Sequence, residues 1–403
     1  MTSRESELLI DRRGPLLRAA VVSDGRLSDL HIDRAGRAEA QAGSLWLGRV
    51  ERLSSGLNGA FVDLGGGKAG LLGLSDARLP GGRRPEPGTP IGTILRGGQG
   101  VLVQVKAEAV GTKGPTLSMD FSLPGRFIVH VPFRRGVTVS RRLGDGPARG
   151  ALTRRLQALT TGDGWIARAG SELAGDDAII RETDSLARAW RDLESLAARS
   201  RAPAPLSPGL DAARRAVINH GARPLSGVVV EVRDAVGRQW ADAFAAWCAD
   251  AAPDLLARLR RHADPEPLFE RYDLDGQVEA LRRPGVPLSG GAGLVVERTE
   301  ALTAIDVNAG ERGNPLSVNL EAAAEIARQL RLRNIGGIVV VDFVSMPKRS
   351  DGERLLDLLA AAVRDDPVQT EVYGLSKLGL VELARARRGP MLVDLLREGP
   401  PSP

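Results

Sequence analysis

The chain has one cysteine in 403 residues, Cys248, so no disulfide can form within it. Cys248 sits between Trp247 and Ala249 in a stretch expected to be helical, where a buried thiol is the simplest reading. Only four histidines occur, His31, His130, His220 and His262, scattered without the spacing of a helical ligand pair. A zinc site of the usual Cys/His kind is therefore not expected. Lysine is nearly as scarce: Lys68, Lys106, Lys113, Lys348 and Lys377 are all there are, so most of the positive charge is arginine. No apolar run approaches a membrane span, and the most apolar, 338–344, is interrupted by Asp342. The first seven residues are charged and lack the apolar core of a signal peptide, so a cytoplasmic protein is expected. The Gly-x-Ser-x-Gly elbow of serine hydrolases is missing too.

What is present is a globular composition: 42% hydrophobic and 26% charged residues. The net charge of +5 and a pI near 9.8 suit a polyanionic partner, although an arginine-rich composition can arise without one. The length allows several domains. Residues 17–22 and 26–32 flank Asp24-Gly25, a short hairpin signal. Short strands separated by glycine follow at 45–53, 59–64, 69–74, 101–106 and 116–121, the pattern of a small barrel. Gly65-Gly66-Gly67-Lys68-Ala69 has the look of a phosphate loop, but no Ser or Thr follows the lysine, so a hairpin turn is the better reading. A strand is expected at 126–131 and a helix at 183–199. Pro203, Pro205 and Pro208 mark 201–208 as a linker or a sharp boundary. Beyond it come a helix at 211–220, a strand at 227–232 and a helical stretch over 239–262.

From residue 290 the pattern sharpens. Strands are expected at 294–299 and 301–307. A helix follows over 320–333, with Leu320, Ala323, Ile326, Ala327 and Leu330 on one face, Asn319 as its N-cap and Glu321 in its first turn. Residues 338–341 read as a buried strand, 353–364 as a helix and 369–373 as another strand. Strand, helix, strand makes a crossover unit, and the spacing of 36 residues from Asp306 to Asp342 is enough for one. A crossover makes its two strands parallel, so both aspartates would emerge at the same carboxyl edge. Two carboxylates there repel unless a cation lies between them, and Mg²⁺ takes one or two carboxylates plus waters and a phosphate. Asn308 faces the same way as Asp306 and could orient a carboxylate or contact a scissile phosphate. On the pattern alone, each Asp could equally cap a turn.

The run Thr299-Glu300-Ala301-Leu302-Thr303-Ala304-Ile305-Asp306-Val307-Asn308 resembles a signature of the ribonuclease E/G family. So do Asn319-Leu320-Glu321-Ala322-Ala323, its continuation from Glu325 to Arg333, and Gly336-Gly337 through Asp342-Phe343. Upstream, Gly59-Ala60-Phe61-Val62-Asp63 and Gly111-Thr112-Lys113-Gly114 are similar to the family's barrel, and Ser140-Arg141-Arg142 and Ile166-Ala167-Arg168 to its 5′-end sensor. The resemblance implies an α+β multidomain chain. An RNase H-like domain (1–38 and 205–280) is interrupted by an OB-fold barrel (39–119) and a 5′-sensor subdomain (120–204). A DNase I-like catalytic domain (281–398) and a short tail (399–403) follow. It implies an endoribonuclease acting on single-stranded RNA in ribosomal RNA processing or messenger RNA decay and leaving 5′-phosphates. The metal would be Mg²⁺, with Mn²⁺ as a substitute, held by Asp306 and Asp342 with Asn308 in support. RNA contacts would fall on Phe61, Lys113, Lys377 and Arg385, and the sensor on Gly125, Val129, Arg141 and Arg168. The departures are specific. The family's Cys-Pro-x-Cys zinc link is absent, so a homodimer, if one forms, is not expected to need zinc. Ala169 follows Arg168 where relatives usually carry Thr. Leu64 and Leu71 stand where aromatics are common, Leu47 where Lys is, and Ser345 replaces a frequent aspartate. A different class, an RNA-binding protein that keeps the fold without efficient cleavage, is the alternative reading.

Overall fold

The computed structural model describes residues 6–35, 40–109, 113–139, 147–160, 162–364 and 366–397. It has two compact units, Met1–Ala19 with Asp33–Ala263, and Ala20–Ile32 with Asp264–Ser402. The chain opens with β1 (Ser6–Arg13), β2 (Leu16–Ser23) and β3 (Arg26–Arg34). Asp24 and Gly25 between β2 and β3 have φ of 54° and 73°, the paired left-handed turn that an Asp-Gly dipeptide favours.

A closed barrel follows, built from β4 (Leu45–Ser54), β5 (Gly59–Asp63), β6 (Gly70–Gly73), β7 (Gly100–Ala107) and β8 (Thr116–Ser118). Neighbours run β4-β5-β6-β8-β7, and β4 pairs with β7 to close the ring. Inward residues such as Val50, Val62, Leu72, Val103 and Leu117 fill it. Gly48 is required at its wall, since a Cβ there would lie 2.4 Å from the Val62 side chain.

The next sheet contains β9 (Leu123–Pro124), β10 (Ile128–Val131), β11 (Gly136–Val139) and β12 (Gly164–Ala167), in the order β11-β12-β10-β9. Helices α1 (Pro147–Leu159) and α2 (Asp176–Arg199) contribute Leu152, Leu156 and Ile179 to its core, beside Trp165. The proline-rich 201–208 segment is not a linker. Its β13 (Ala204–Ser207) pairs with β4, adding a strand to the barrel's sheet where a proline, which has no N–H to donate, is tolerated at an edge. Helix α3 (Ala212–Asn219) is capped by Asp211, whose carboxylate accepts the Arg214 N–H. Then β14 (Gly227–Glu231) lies parallel to β1, with Leu8 opposite Val228. The helical stretch expected over 239–262 is divided: α4 (Ala235–Ala251) ends before Pro253, α5 (Pro253–Leu256) is one turn, and Leu259–His262 is a strand, β15, parallel to β14. A proline cannot donate the helical N–H at that point, which is why the helix stops.

In the second unit, short helices α6 (Leu268–Arg271) and α7 (Leu274–Ala280) precede a six-stranded mixed sheet. Its strands are β16 (Gly285–Pro287), β17 (Gly293–Arg298), β18 (Leu302–Asn308), β19 (Gly337–Asp342), β20 (Thr370–Leu375) and β21 (Val381–Arg385), in the order β16-β17-β18-β19-β21-β20. Only β18 and β19 run parallel, and α8 (Pro315–Leu332) connects them. Helices α8 and α9 (Arg349–Arg364) share one core with Ile305, Val307, Val339 and Val341. Two expectations fail here. Helix α8 begins a turn earlier, capped by Asn314, whose side chain accepts the Ser317 N–H, with Pro315 in the first turn. And β19 is not buried on both sides: Ile338 is 55% exposed, because both helices pack on the face carrying Val339 and Val341.

Candidate metal centre

The alternation of β18 decides what each side chain meets. Thr303, Ile305 and Val307 are buried, while Ala304, Asp306 and Asn308 are exposed on the opposite face. On β19, Val339 and Val341 are buried and Asp342 is exposed. Asp306 and Asp342 are register partners on adjacent parallel strands, so their side chains leave the same face side by side. Asn308 donates from Nδ2 to Asp306 Oδ2 at 2.8 Å. Among the described residues, neither aspartate forms an ion pair with an arginine or lysine.

The flanking loop is tied down. Arg312 donates to Glu321 at 2.5 Å and to Ser317 Oγ at 2.8 Å, and Glu321 accepts the backbone N–H and hydroxyl of Ser289. These Ser289 bonds, with Arg312 beside them, hold the Glu321 carboxyl down at about 2. Glu321 therefore anchors a loop and is not the first-turn helix acid expected. Asn319, expected as a cap, lies in the body of α8 and is fully buried. Its Nδ2 donates to the Val344 carbonyl at 2.7 Å and its Oδ1 accepts the Val344 N–H at 3.1 Å.

The donor set fits a hard divalent cation. Two carboxylates that have no cationic partner among the described residues are side by side, and an ion with oxygen ligands would relieve their repulsion while leaving places for water and phosphate. No group of three or more His, Cys, Asp or Glu side chains able to hold a metal occurs among the described residues.

The other candidate residues divide. Lys377 is exposed in the turn between β20 and β21, and Lys113 is exposed on the barrel. Phe61 is partly buried, with the Arg52 guanidinium 3.7 Å from its ring centroid, so an arginine already covers one face of the ring. Arg385 is turned inward, with 3% of its side chain exposed. Nε and Nη2 donate to the two oxygens of Asp366, and Nη1 donates to the Ile335 carbonyl at 2.8 Å. It is a core ion pair and offers nothing to a phosphate. Its position parity with Val381 and Leu383, both buried, was the overlooked sign.

Gly125, Val129 and Arg168 meet on one framework. Gly125 N–H donates to the Ile128 carbonyl, Arg168 N–H to the Phe127 carbonyl, and Val129 is the register partner of Ile166. The Arg168 guanidinium donates to Asn219 at 3.2 Å. Arg141 lies outside the described residues. Sequence reasoning missed Glu182, a buried carboxylate on α2 that accepts the N–H groups of Arg126, Phe127 and Ile128 at 2.5, 2.8 and 3.0 Å. Burial pushes its carboxyl above the usual range, and the three N–H donors pull back against it. A Cβ on Gly125 would strike this carboxylate at 2.4 Å, which accounts for the glycine.

These observations define an α+β protein with a closed five-stranded barrel and a separate mixed sheet bearing an acidic pair at a parallel strand edge. The profile of the Ribonuclease E/G family matches residues 122–388, and the chain belongs to that family. It is 34% identical to ribonuclease E of a Nostoc species over 394 residues, covering 95% of this chain and 56% of that protein. It is 31% identical to ribonuclease G of Escherichia coli over 396 residues, covering 95% of this chain and 80% of that protein. The chain thus spans just over half the length of the Nostoc relative. Among the described residues, no helix is long and apolar enough to cross a membrane.

Proposed function

We propose that this protein is a metal-dependent endoribonuclease that cuts single-stranded RNA in the cytoplasm, leaving 5′-phosphate ends, in ribosomal RNA maturation or messenger RNA decay. The observation that carries the reading is the register pairing of Asp306 with Asp342, with Asn308 bonded to the former. Asp306 and Asp342 would hold Mg²⁺, or Mn²⁺ in its place. Such an ion supplies positive charge at a scissile phosphate and makes its bound water more acidic. Asn308, by donating to one Asp306 oxygen, orients that carboxylate. Phe61, Lys113 and Lys377 are the proposed RNA contacts, lysines as point charges and the ring through stacking.

The domain layout proposed is an RNase H-like domain split by an OB-fold and a 5′ sensor, then a DNase I-like domain. The pairing of β1 with β14, far apart in sequence, supports the split domain, and the closed barrel supports the OB-fold. Gly125, Val129, Arg168 and Arg141 form the proposed sensor.

The test is incubation of the protein with end-labelled single-stranded RNA, with Mg²⁺ or with chelator. Cleavage in Mg²⁺ alone is expected. Asp306→Asn and Asp342→Asn should each lower kcat on the order of a thousandfold or more, the loss of several kcal/mol of transition-state stabilisation. RNA affinity should hold, because the wider basic surface carries it. Wild-type turnover in either variant would refute the metal assignment. Tight RNA binding without cleavage by the wild type would instead favour the binding-protein reading.

A further inference from the structure

Asp342 is the last residue of its strand, and the chain leaves the sheet directly after it. Up to that point its backbone is held by ladders on both sides: Val341 is opposite Ile305 on β18 and Val381 on β21. Beyond it, residues 343–346 have no strand to follow. Phe343 is buried in the core, with Val344 and Met346 packed against it, and the backbone polar groups of Val344 are taken by Asn319. Its amide, on a helix face otherwise filled by Val318, Ala322 and Ala323, pairs with both the N–H and the C=O of Val344, as a neighbouring strand would. A buried amide on an apolar face costs free energy unless both its donor and its acceptor are used, and here both are.

We propose that Asn319 is a positioning residue for Asp342. By holding Val344, two residues on, it fixes the path of the chain out of β19 and so the placing of the Asp342 carboxylate beside Asp306. Ladder and clamp bracket Asp342 from either side, and the clamp belongs to α8, the helix that also joins the two aspartate strands. The residue therefore acts on the affinity for the divalent ion and not on RNA binding. This inference rests on the metal reading of the acidic pair.

The experiment measures Mn²⁺ binding directly, from the loss of the free-ion electron paramagnetic resonance signal, in the wild type, Asn319→Ala, Asn319→Asp and Asp342→Asn. Mg²⁺ activation curves, KM for RNA and melting temperature are taken on the same proteins. Groups that orient metal ligands typically change metal affinity about 10- to 100-fold. Both Asn319 variants are expected to weaken Mn²⁺ binding by about tenfold or more and to raise the half-activating Mg²⁺ concentration by a similar factor. Excess Mg²⁺ should restore the rate, and KM for RNA should hold. A variant that melts lower but binds Mn²⁺ like the wild type overturns the proposal while leaving the metal reading intact. Unchanged Mn²⁺ binding in Asp342→Asn overturns the metal reading itself. Should both Asn319 variants fail to fold, exchange of the Val344 amide in the wild type decides, because coupling is reciprocal: the ion must then slow that exchange. Exchange indifferent to Mg²⁺ overturns the clamp.

Discussion

Two regions of this molecule pin an irregular backbone with one buried polar side chain from a helix, and they use different chemistry. In the first unit Glu182 takes three successive N–H groups, those of Arg126, Phe127 and Ile128. In the second, Asn319 takes one N–H and one C=O, both of Val344. A carboxylate is acceptor only, so it suits a run of donors, whereas an amide carries one of each and suits a strand edge. The charge has a cost: burial drives the Glu182 carboxyl upward, and the donors only partly offset this. The amide has no charge to bury. The polar groups left open by the backbone thus select the side chain that closes them.

The largest effect expected on this comparison comes from an ion pair in the second unit. Arg385→Ala should destabilise the protein by roughly 3–5 kcal/mol, since it removes the guanidinium that pairs with both oxygens of the buried Asp366 carboxylate. Lys377→Ala, at an exposed turn, should leave stability alone and lower the salt slope of RNA binding by about one. Urea titration and affinity at several salt concentrations measure the two. A stable Arg385→Ala with weakened RNA binding would restore Arg385 as a contact.

Glu182→Ala comes next. It abandons three N–H groups, each worth about 1–3 kcal/mol when buried and unpaired, so a loss of roughly 3 kcal/mol or more is expected in denaturant unfolding. Glu182→Gln should lose less, because its carbonyl keeps at least one donor. If the two variants were equally stable, the contrast between carboxylate and amide would be empty.

A smaller effect is expected at Ala169. A hydroxyl there would add a hydrogen bond to a charged phosphate worth roughly 1.5–3 kcal/mol, or about ten- to a hundredfold. Ala169→Thr is therefore expected to raise the preference for 5′-monophosphate over 5′-hydroxyl RNA, and Arg168→Ala to erase it. The ratio of kcat/KM on the two RNAs is the readout. Identical ratios in all three proteins would end the sensor reading.

The least expected change is pH-dependent. Glu321 is held at about 2, below its unfolded value, so its bonds stabilise the fold fully above the unfolded carboxyl range. That contribution is lost as pH falls through the folded value. The Tm difference between wild type and Glu321→Gln should be present at neutral pH and shrink between about pH 4.5 and 2. A difference constant with pH would mean that the loop is held by something else. Because Glu321 is partly exposed, the difference should be small even at its largest.

Much of this was legible in the sequence. Alternation in 302–308 places Asp306 and Asn308 opposite Ile305 and Val307, and a connecting helix of sufficient length makes the two aspartate strands parallel. The Asp24-Gly25 turn and the glycine-spaced barrel strands were likewise local signals, since alternation, helical period and left-handed turns depend only on near neighbours. Parity alone would also have turned Arg385 inward. Tertiary structure decided the rest. That Asn319 clamps Val344 instead of capping a helix, that Glu182 reaches a backbone 56 residues away, and that Ala204–Ser207 adds a strand to the barrel all depend on which distant backbone groups the topology leaves without partners. A polar side chain's role is set by the donors and acceptors it meets in space, and no periodicity along the chain encodes that meeting.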